Sequence, residues 1–594
     1  MNTSVYVRLI ILLSFFSISA LAQTDYEIHS HNDYEQEFPF WNAYVNGLES
    51  IEIDVFLRKD ALYVTHAETE ILPANSIENL YLDPLSALAK NGKLREVQIL
   101  IDVKSDPYKT LEKLVKTIEN RPELAKNQNL HFVISGNRPK PSEYKNYPDF
   151  IQFDHQSLDD LNSIDLKKVA LVSASFSGYS VWNGLGRMTE ADLVKVKTAI
   201  EKAHSVNKPF RFWAAPDTKT AWSLFAALGV DYINTDHPAQ AAKYLATLKE
   251  RTFAIENPIA VYKPKYEYDK ETTPKNVILL IGDGNGLSQI SAAQIANGGS
   301  LTVTQLKDLG LVKTASFDDL VTDSAAGATA MATGKKTNNR AIGTDPEGKK
   351  LKNLTEILAQ HNFINGLLTT DNITGATPSA FYAHTPERDD SAGILDNLNK
   401  SQISFFMAGG KEYTETIKKA FKVQKMTDFN QLSGKTAVFI GDEKVESIEN
   451  GRGDLFPQSV KKALNVLSNQ QKPFFLMIEG AQIDSNGHTN NVSGIVQEVL
   501  DFDQTIAEAL KIADTTENTL VIITADHETS GFGILQGSLE NHKIEGGFLT
   551  NDHTATMVPL FAYGPQAQHF QGVYENTAIF EKILEALKIE SIEK

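Results

Sequence analysis

From Tyr26 to about Lys249 the chain alternates short apolar runs with amphipathic stretches. The pattern predicts strands at Ser50–Phe56, Val97–Val103, His131–Ile134, Ile151–Phe153, Val169–Val172, Arg211–Ala214 and Tyr232–Ile233. Helices such as Tyr108–Glu119, Glu190–His204 and Thr218–Leu228 fall between several of them. Strand–helix alternation over so long a stretch predicts a parallel α/β fold, with a closed TIM-type (β/α) barrel as its architecture. This first domain is expected over residues 23–250.

The rhythm breaks at residues 251–272, a charged, tyrosine-containing stretch punctuated by Pro258 and Pro264, which reads as a linker. A second alternating set follows over 273–594. It opens on the buried strand Asn276–Gly282 and continues through Gly366–Thr370, Phe405–Gly409, Phe474–Glu479, Thr519–Ala525 and Pro559–Tyr563. Intervening helices at Leu354–His361, Ile495–Ala513 and Ala578–Leu587 complete the pattern of a doubly wound open sheet.

One further apolar run lies at the start. Arg8 precedes Leu9–Leu13, the run reaches Ile18, and Ala20-Leu21-Ala22 offers a small-residue cleavage site. Residues 1–22 therefore read as a secretory signal peptide, with an uncleaved anchor as the alternative, and the protein is expected in the periplasm or secreted. Hydrophobic content of 42% against 22% charged residues excludes wholesale disorder. The net charge of −18 argues against a nucleic-acid partner and requires metals or a few placed cations to hold an anionic substrate. Cysteine is absent, which removes disulfides, thiolate-bound zinc and thiol nucleophiles together.

Any metal must then sit on oxygen and imidazole, and such groups collect after the strands of the second domain. Asp283 follows VILLIG, Glu479 follows FFLMI with Asp484 and His488 behind it, Asp526-His527 follow LVIITA, and His553 precedes PLFAY. Open α/β sheets build their sites at such strand ends, and these donors suffice for two zinc ions. Singly they are ordinary: a glycine-flanked Asp is a turn residue, and Asp484-x3-His488 a solvated helix face. Ser324, in Val321-Thr322-Asp323-Ser324-Ala325-Ala326-Gly327, reads as a nucleophile at a helix N-terminus or as a plain N-cap. No G-x-S-x-G elbow surrounds it, so a metal would have to replace the histidine base of a hydrolase triad.

These motifs, IGDGNG, VTDSAAGATAMATGKKTNNRAIG, ATPSAFYAHTPER, EGAQIDSNGH and TADHETSG, occur in the order found in alkaline phosphatases, and the segment from about 273 to 594 resembles that family. The resemblance implies one zinc on Asp283, Asp526 and His527, activating Ser324, and a second on Asp484, His488 and His553. It implies a third ion, usually magnesium, among Asp283, Thr377 and Glu479, with Arg388 clamping the phosphate through a planar fork. Two positions depart from the family. Gly375 stands where a supporting Asp or His is usual, which puts the third ion in question. Ser485 replaces the Lys or His that contacts phosphate through water. The domain is short for the family, so a homodimer does not carry over and the oligomeric state stays open.

The first domain begins with His29-Ser30-His31-Asn32-Asp33-Tyr34. Glu52 and Asp54 alternate on one strand, as do Asp102 and Lys104 on another, and His66 follows the run Leu62–Thr65. Residues two apart share a strand face, inside a barrel or toward solvent. HSHNDY, EIDVFL, LYVTHAE, IDVKSD and GVDYINTDHP resemble the glycerophosphodiester phosphodiesterase and phosphatidylinositol phospholipase C superfamily. That implies His31 and His66 as acid and base, Asn32, Glu52, Asp54 and Asp102 around one Ca²⁺ or Mg²⁺, and Lys104 on the phosphate. His29 fits no position of that pattern and reads as structural.

The sequence thus points to a bifunctional phosphoesterase acting on small phosphomonoesters and phosphodiesters. A catalytically silent, binding barrel and a C-terminal site that is chiefly a phosphodiesterase are the alternatives.

Overall fold

The computed structural model describes residues 26–590, so the expected signal peptide lies outside the described residues. The chain divides into two compact units, Met1–Leu248 and Lys249–Lys594. Among the described residues no helix is long and apolar enough to cross a membrane.

The first unit is a closed barrel of eight parallel strands: Glu27–Ser30, Ser50–Arg58, Val97–Val103, Leu130–Gly136, Ile151–His155, Val169–Ser175, Phe210–Trp213 and Tyr232–Thr235. Glu27–Ser30 closes the circuit by pairing with Tyr232–Thr235 on one side and Ser50–Arg58 on the other. It was not anticipated, because a four-residue EIHS segment has no apolar run. Ala61–Val64 adds an antiparallel strand beside Ser50–Arg58, outside the circuit. Ile51, Ile53, Ile99, Ile101, Phe132 and Ile134 form the layer packed under the helices. The alternate positions point inward, where Leu100, Val133 and Leu171 fill a small internal layer. That alternation turns Glu52, Asp54 and Asp102 into the barrel. Helix Pro107–Glu119 shows the local logic: Asp106 caps it by accepting from the Lys109 amide at 2.9 Å, proline starts it, and Leu111, Leu114 and Ile118 bury one face.

The second unit is built on a ten-stranded sheet. Asn276–Gly282, buried along its whole length, lies between the parallel strands Phe474–Gly480 and Thr519–Thr524. Its side chains divide by period two: Val277, Leu279 and Ile281 join the core on one face, and Ile278 and Leu280 the core on the other. A strand apolar on both faces must be covered by helices on both, which is the expected doubly wound arrangement. The sheet is not wholly parallel, since Val558–Tyr563 runs antiparallel to Thr519–Thr524. Asp308–Lys313, Lys422–Gln424, Thr436–Phe439 and Gly572–Glu575 extend the two edges. They escaped prediction because short edge strands carry little apolar signal.

Residues 251–272, read as a linker, are instead fastened to the second unit. Thr252–Ala254 pairs antiparallel with Lys543–Gly547. The Tyr262 hydroxyl donates to Asp514 at 2.6 Å, and the Tyr266 and Tyr268 rings lie 4.9 and 5.0 Å from that of Tyr563. The prolines block regular structure there, but the tyrosines supply the apolar surface and hydroxyls that bind the segment to the domain.

Candidate active sites

In the second unit the strand registers align the chemistry. Ile281 pairs with Glu479 on one side and Thr524 on the other, and Thr369 pairs with Glu479. Asp283, Glu479 and Asp526 therefore emerge at one end of three adjacent strands. Ser324 is the first residue of helix Ser324–Thr333, and the N-cap is Asp323, whose Oδ1 accepts the Ala326 amide at 2.9 Å. This excludes the N-cap reading of Ser324, because capping is done by its neighbour. A Cβ on Gly327 would lie 3.1 Å from Asp526, so the small residues after Ser324 let the helix seat against the strand end.

Two groups of ligands converge around Ser324. His527 Nε2 lies 3.3 Å from Ser324 Oγ, 3.3 Å from Asp526 Oδ2 and 3.5 Å from Asp283 Oδ1. Beside it, Asp484 is 3.2 Å from His488 Nε2 and 3.5 Å from His553 Nε2, and the two imidazole nitrogens are 3.1 Å apart. The outer ring nitrogens are held by backbone carbonyls: His488 Nδ1 lies 2.7 Å from Asn551 O, and His553 Nδ1 2.8 Å from Thr322 O. Such contacts fix the tautomer and aim Nε2 inward, as a metal ligand requires. Thr377 Oγ1 donates to Asp283 Oδ2 at 3.4 Å, and Thr369 to Glu479. Arg388 donates through Nη1 to Asp323 Oδ2 at 2.9 Å and lines, with Ser324, His488 and His553, a cleft of about 380 Å³.

The electrostatics of this cluster call for cations. Asp283 is held well above the usual carboxylate range by burial and then by Asp526, Asp484 and Glu479. Burial and Asp371 raise Glu479, and burial and Asp484 push Asp526 up to about 7. His527 is pushed well down by burial and by His553. Asp484 is low despite burial, because His488 and His553 hydrogen-bond it, and Asp484 lifts His488 to about 9. Asp283 Oδ1 and Asp526 Oδ2 are buried with no hydrogen-bond partner. Orphaned buried carboxylate oxygens beside the neutral His527 imidazole are the donor set of a divalent metal centre, and the residues fit zinc.

In the barrel, Glu52, Asp54 and Asp102 bring oxygen atoms within 4.8 Å of one another. Lys104 Nζ lies 3.2 Å from Asp54 and 3.0 Å from Asp102, and His66 Nδ1 3.2 Å from Asp54 Oδ2. Burial pushes Asp54 up to about 6. His31 Nδ1 lies 2.7 Å from Asp236 Oδ1, a contact that raises the imidazole against the effect of burial. Asn32 follows in a left-handed conformation, φ 44°, and opens the turn Asp33–Glu35 at the same strand end. Three participants were missed. Asp236 stood inside the quoted TDHP but was not singled out; Tyr34 hydrogen-bonds Asp54 at 2.9 Å. The third is Arg211, buried in the barrel against Glu52. His29, taken as structural, bridges Ser50 Oγ and Glu52 Oε2 at 2.7 Å each and is pushed down to about 3 by burial and Arg211.

A serine-headed helix thus faces paired carboxylate–imidazole clusters at the C-terminal edge of an α/β sheet. Comparison with known proteins gives the family. The alkaline phosphatase family model matches residues 274–435, 454–544 and 538–589. Alkaline phosphatase 4 of Bacillus subtilis is 29% identical over 409 residues, covering 53% of this chain and 89% of its own length. The Escherichia coli K12 alkaline phosphatase is also 29% identical, over 407 residues, covering 53% and 86%. The solved alkaline phosphatase from the Antarctic bacterium TAB5 is 39% identical, with a TM-score of 0.51, covering 54% of this chain and 99% of that one. The chain belongs to the alkaline phosphatase family through its second unit. In the first unit an AIM6-like phosphodiesterase domain matches residues 21–105, and a glycerophosphoryl diester phosphodiesterase family model matches 209–239. The first match spans His31, Glu52, Asp54, His66, Asp102 and Lys104; the second spans Arg211 and Asp236.

Proposed function

We propose that this is an exported, bifunctional phosphoesterase: the second unit removes phosphate from monoesters through Ser324, and the barrel cleaves a phosphodiester. The observation that carries the first activity is Ser324 Oγ, 3.3 Å from His527 Nε2 at the start of a capped helix and in the same cleft as Arg388. Asp283, Asp526 and His527 would hold one zinc and Asp484, His488 and His553 the other. When bound, these ions supply the charge that lowers the pKa of a serine hydroxyl or a water and neutralises the transferring phosphoryl group.

The chain's own residues do the rest. Arg388, anchored by Asp323, presents its fork to two phosphate oxygens and sets the phosphorus in line with Ser324 Oγ. The serine oxygen bonds to phosphorus, the ester P–O bond breaks, and the leaving alkoxide takes a proton. Water then attacks the phosphoserine, releasing inorganic phosphate and restoring the hydroxyl. The free amides at the helix start favour the negative charge throughout. A third ion, magnesium, would take Asp283, Thr377 and Glu479. Variants of the TAB5 enzyme were solved with Mg bound in its M3 site, which supports a magnesium position in relatives.

In the barrel, Glu52, Asp54, Asp102 and Asn32 would hold one Ca²⁺ or Mg²⁺, and Lys104 would contact the phosphate. His31, oriented by Asp236, and His66 are placed for proton transfer to and from the reacting oxygens. One observation favours a silent, binding barrel instead: Glu52 is already engaged by His29 and Arg211. Chelation followed by separate addition of zinc, magnesium or calcium, read on p-nitrophenyl phosphate and its bis-ester, tests the whole reading. Zinc restoring monoester turnover and calcium or magnesium restoring diester turnover is expected. Loss of diester turnover in Ser324→Ala, with His31→Ala fully active, would place both reactions in the second unit.

A further inference from the structure

Gly375 leaves the alkaline-phosphatase site one side chain short beside Thr377, and the structure shows what fills that space. A Cβ built on Gly375 would lie 2.8 Å from Asp371 Cγ and overlap Asp371 Oδ2. A side chain at 375 would therefore have to displace the Asp371 carboxylate from the position it holds. Asp371 lies on the strand Ile364–Asn372, two residues beyond Thr369. Thr369 pairs with Glu479 in the sheet and hydrogen-bonds its carboxylate, and the Asp371 amide donates back to Thr369 Oγ1 at 2.8 Å. The pairing with Phe405–Gly409 shifts register between Leu368 and Asn372, so the strand is irregular at the point where Asp371 is presented.

We propose that Asp371 takes the place of the missing position-375 side chain and supplies a carboxylate oxygen to the third ion, directly or through one bound water. The inference rests on the phosphatase reading of the second unit. Three independent observations support it. The cradle that a side chain at 375 would fill is occupied by a carboxylate. Among the described residues no Lys, Arg or His lies within ion-pair distance of Asp371, although Lys444 and Arg388 are the cations whose charge reaches it. Thr377 already joins the oxygen set, since its hydroxyl donates to Asp283 Oδ2 at 3.4 Å. Burial raises Asp371 itself, and Asp371 is the charge that acts most strongly on Glu479. Three carboxylates and a threonine hydroxyl form an all-oxygen set, which suits a hard cation of magnesium type rather than zinc.

The test uses the full-length, zinc-loaded protein. Magnesium binding is measured by equilibrium dialysis with elemental analysis and by the magnesium-dependent rise in unfolding temperature. Asp371→Asn is expected to weaken magnesium binding by about ten- to a hundred-fold while two zinc ions per chain remain. The exchange Asp371→Ala with Gly375→Asp should recover most of that loss, whereas Gly375→Asp alone should bind magnesium no better and unfold earlier. Wild-type magnesium affinity in Asp371→Asn would overturn the proposal. Should that variant fold poorly, the exchange decides: a folded double variant that binds no magnesium overturns it as well. Ser324→Ala separates this from the underlying reading. Phosphate release persisting in Ser324→Ala refutes the phosphatase mechanism whatever the magnesium results.

Discussion

Asp323 joins the fold of the second unit to its chemistry, and replacing it separates the two roles. Its Oδ1 caps the Ser324 helix through the Ala326 amide at 2.9 Å, while Oδ2 accepts Arg388 Nη1 at 2.9 Å and the Arg340 amide at 3.0 Å. Asp323→Ala removes a cap worth about 1 kcal/mol, which lowers the unfolding temperature by roughly 2 °C in a unit of this size. It also frees the guanidinium. A hydrogen bond between charged groups contributes about 1.5–3 kcal/mol. The Asp323–Arg388 pair is partly exposed, with side chains 17% and 29% accessible, so screening brings the figure to about 1–2 kcal/mol. That corresponds to a five- to thirty-fold rise in KM for p-nitrophenyl phosphate and in the inhibition constant of inorganic phosphate. Because the carboxylate touches the clamp and not Ser324 Oγ, kcat should fall by less than KM rises. Asp323→Asn keeps an acceptor for the cap and should recover the unfolding temperature but only part of the binding. The assay is steady-state kinetics with phosphate inhibition, alongside calorimetry. Unchanged KM and inhibition constant in Asp323→Ala would refute the idea that Asp323 positions the clamp.

Away from the site, Arg452 Nη2 is shared by Glu498 and by Asp501, the latter at 2.7 Å, all three buried. Burial, with Glu498 alongside, pushes Asp501 up to about 7 against the pull of Arg452. A raised carboxylate stabilises the fold fully below about pH 4 and loses that contribution as pH rises through about 7. Asp501→Asn should therefore lose ground to the wild type at pH 5 and recover it by pH 8 in thermal melts; a pH-independent difference would count against this ionisation. In the barrel, Asp236→Asn should lower diester turnover by about tenfold or more while monoester turnover is untouched, read on paired chromogenic substrates. Equal loss on both substrates would show that Asp236 is needed for folding, not for positioning His31.

Much of this was legible in the sequence, for reasons that can be named. Asn276–Gly282 is apolar on both faces, so its strand and its central place are written in seven residues, and Asp283 follows directly at its C-terminal end. Ser324, Asp484, His488, Asp526, His527 and His553 come from four separate segments, yet each lies beside a strand or helix end that periodicity could locate. What escaped were relations between side chains far apart in the chain. Arg211 sits in an otherwise apolar FRFW strand, and only the closed barrel shows that it faces Glu52. Asp371 carries no signal of its own in the sequence, and only the missing Cβ at 375 draws attention to it. The prolines of 251–272 read as a linker because propensity reports local backbone, while the partners of Tyr262, Tyr266 and Tyr268 lie some 250–300 residues away.

The central claim is that Ser324 carries the phosphoryl group, and trapping that species tests it most directly. The zinc-loaded protein is mixed with p-nitrophenyl phosphate, quenched in acid within the first turnover, digested and analysed by mass spectrometry. The account predicts one phosphate per chain on the peptide that contains Ser324, and neither label nor phosphate release in Ser324→Ala. Label on another residue, or sustained release by Ser324→Ala, would contradict it.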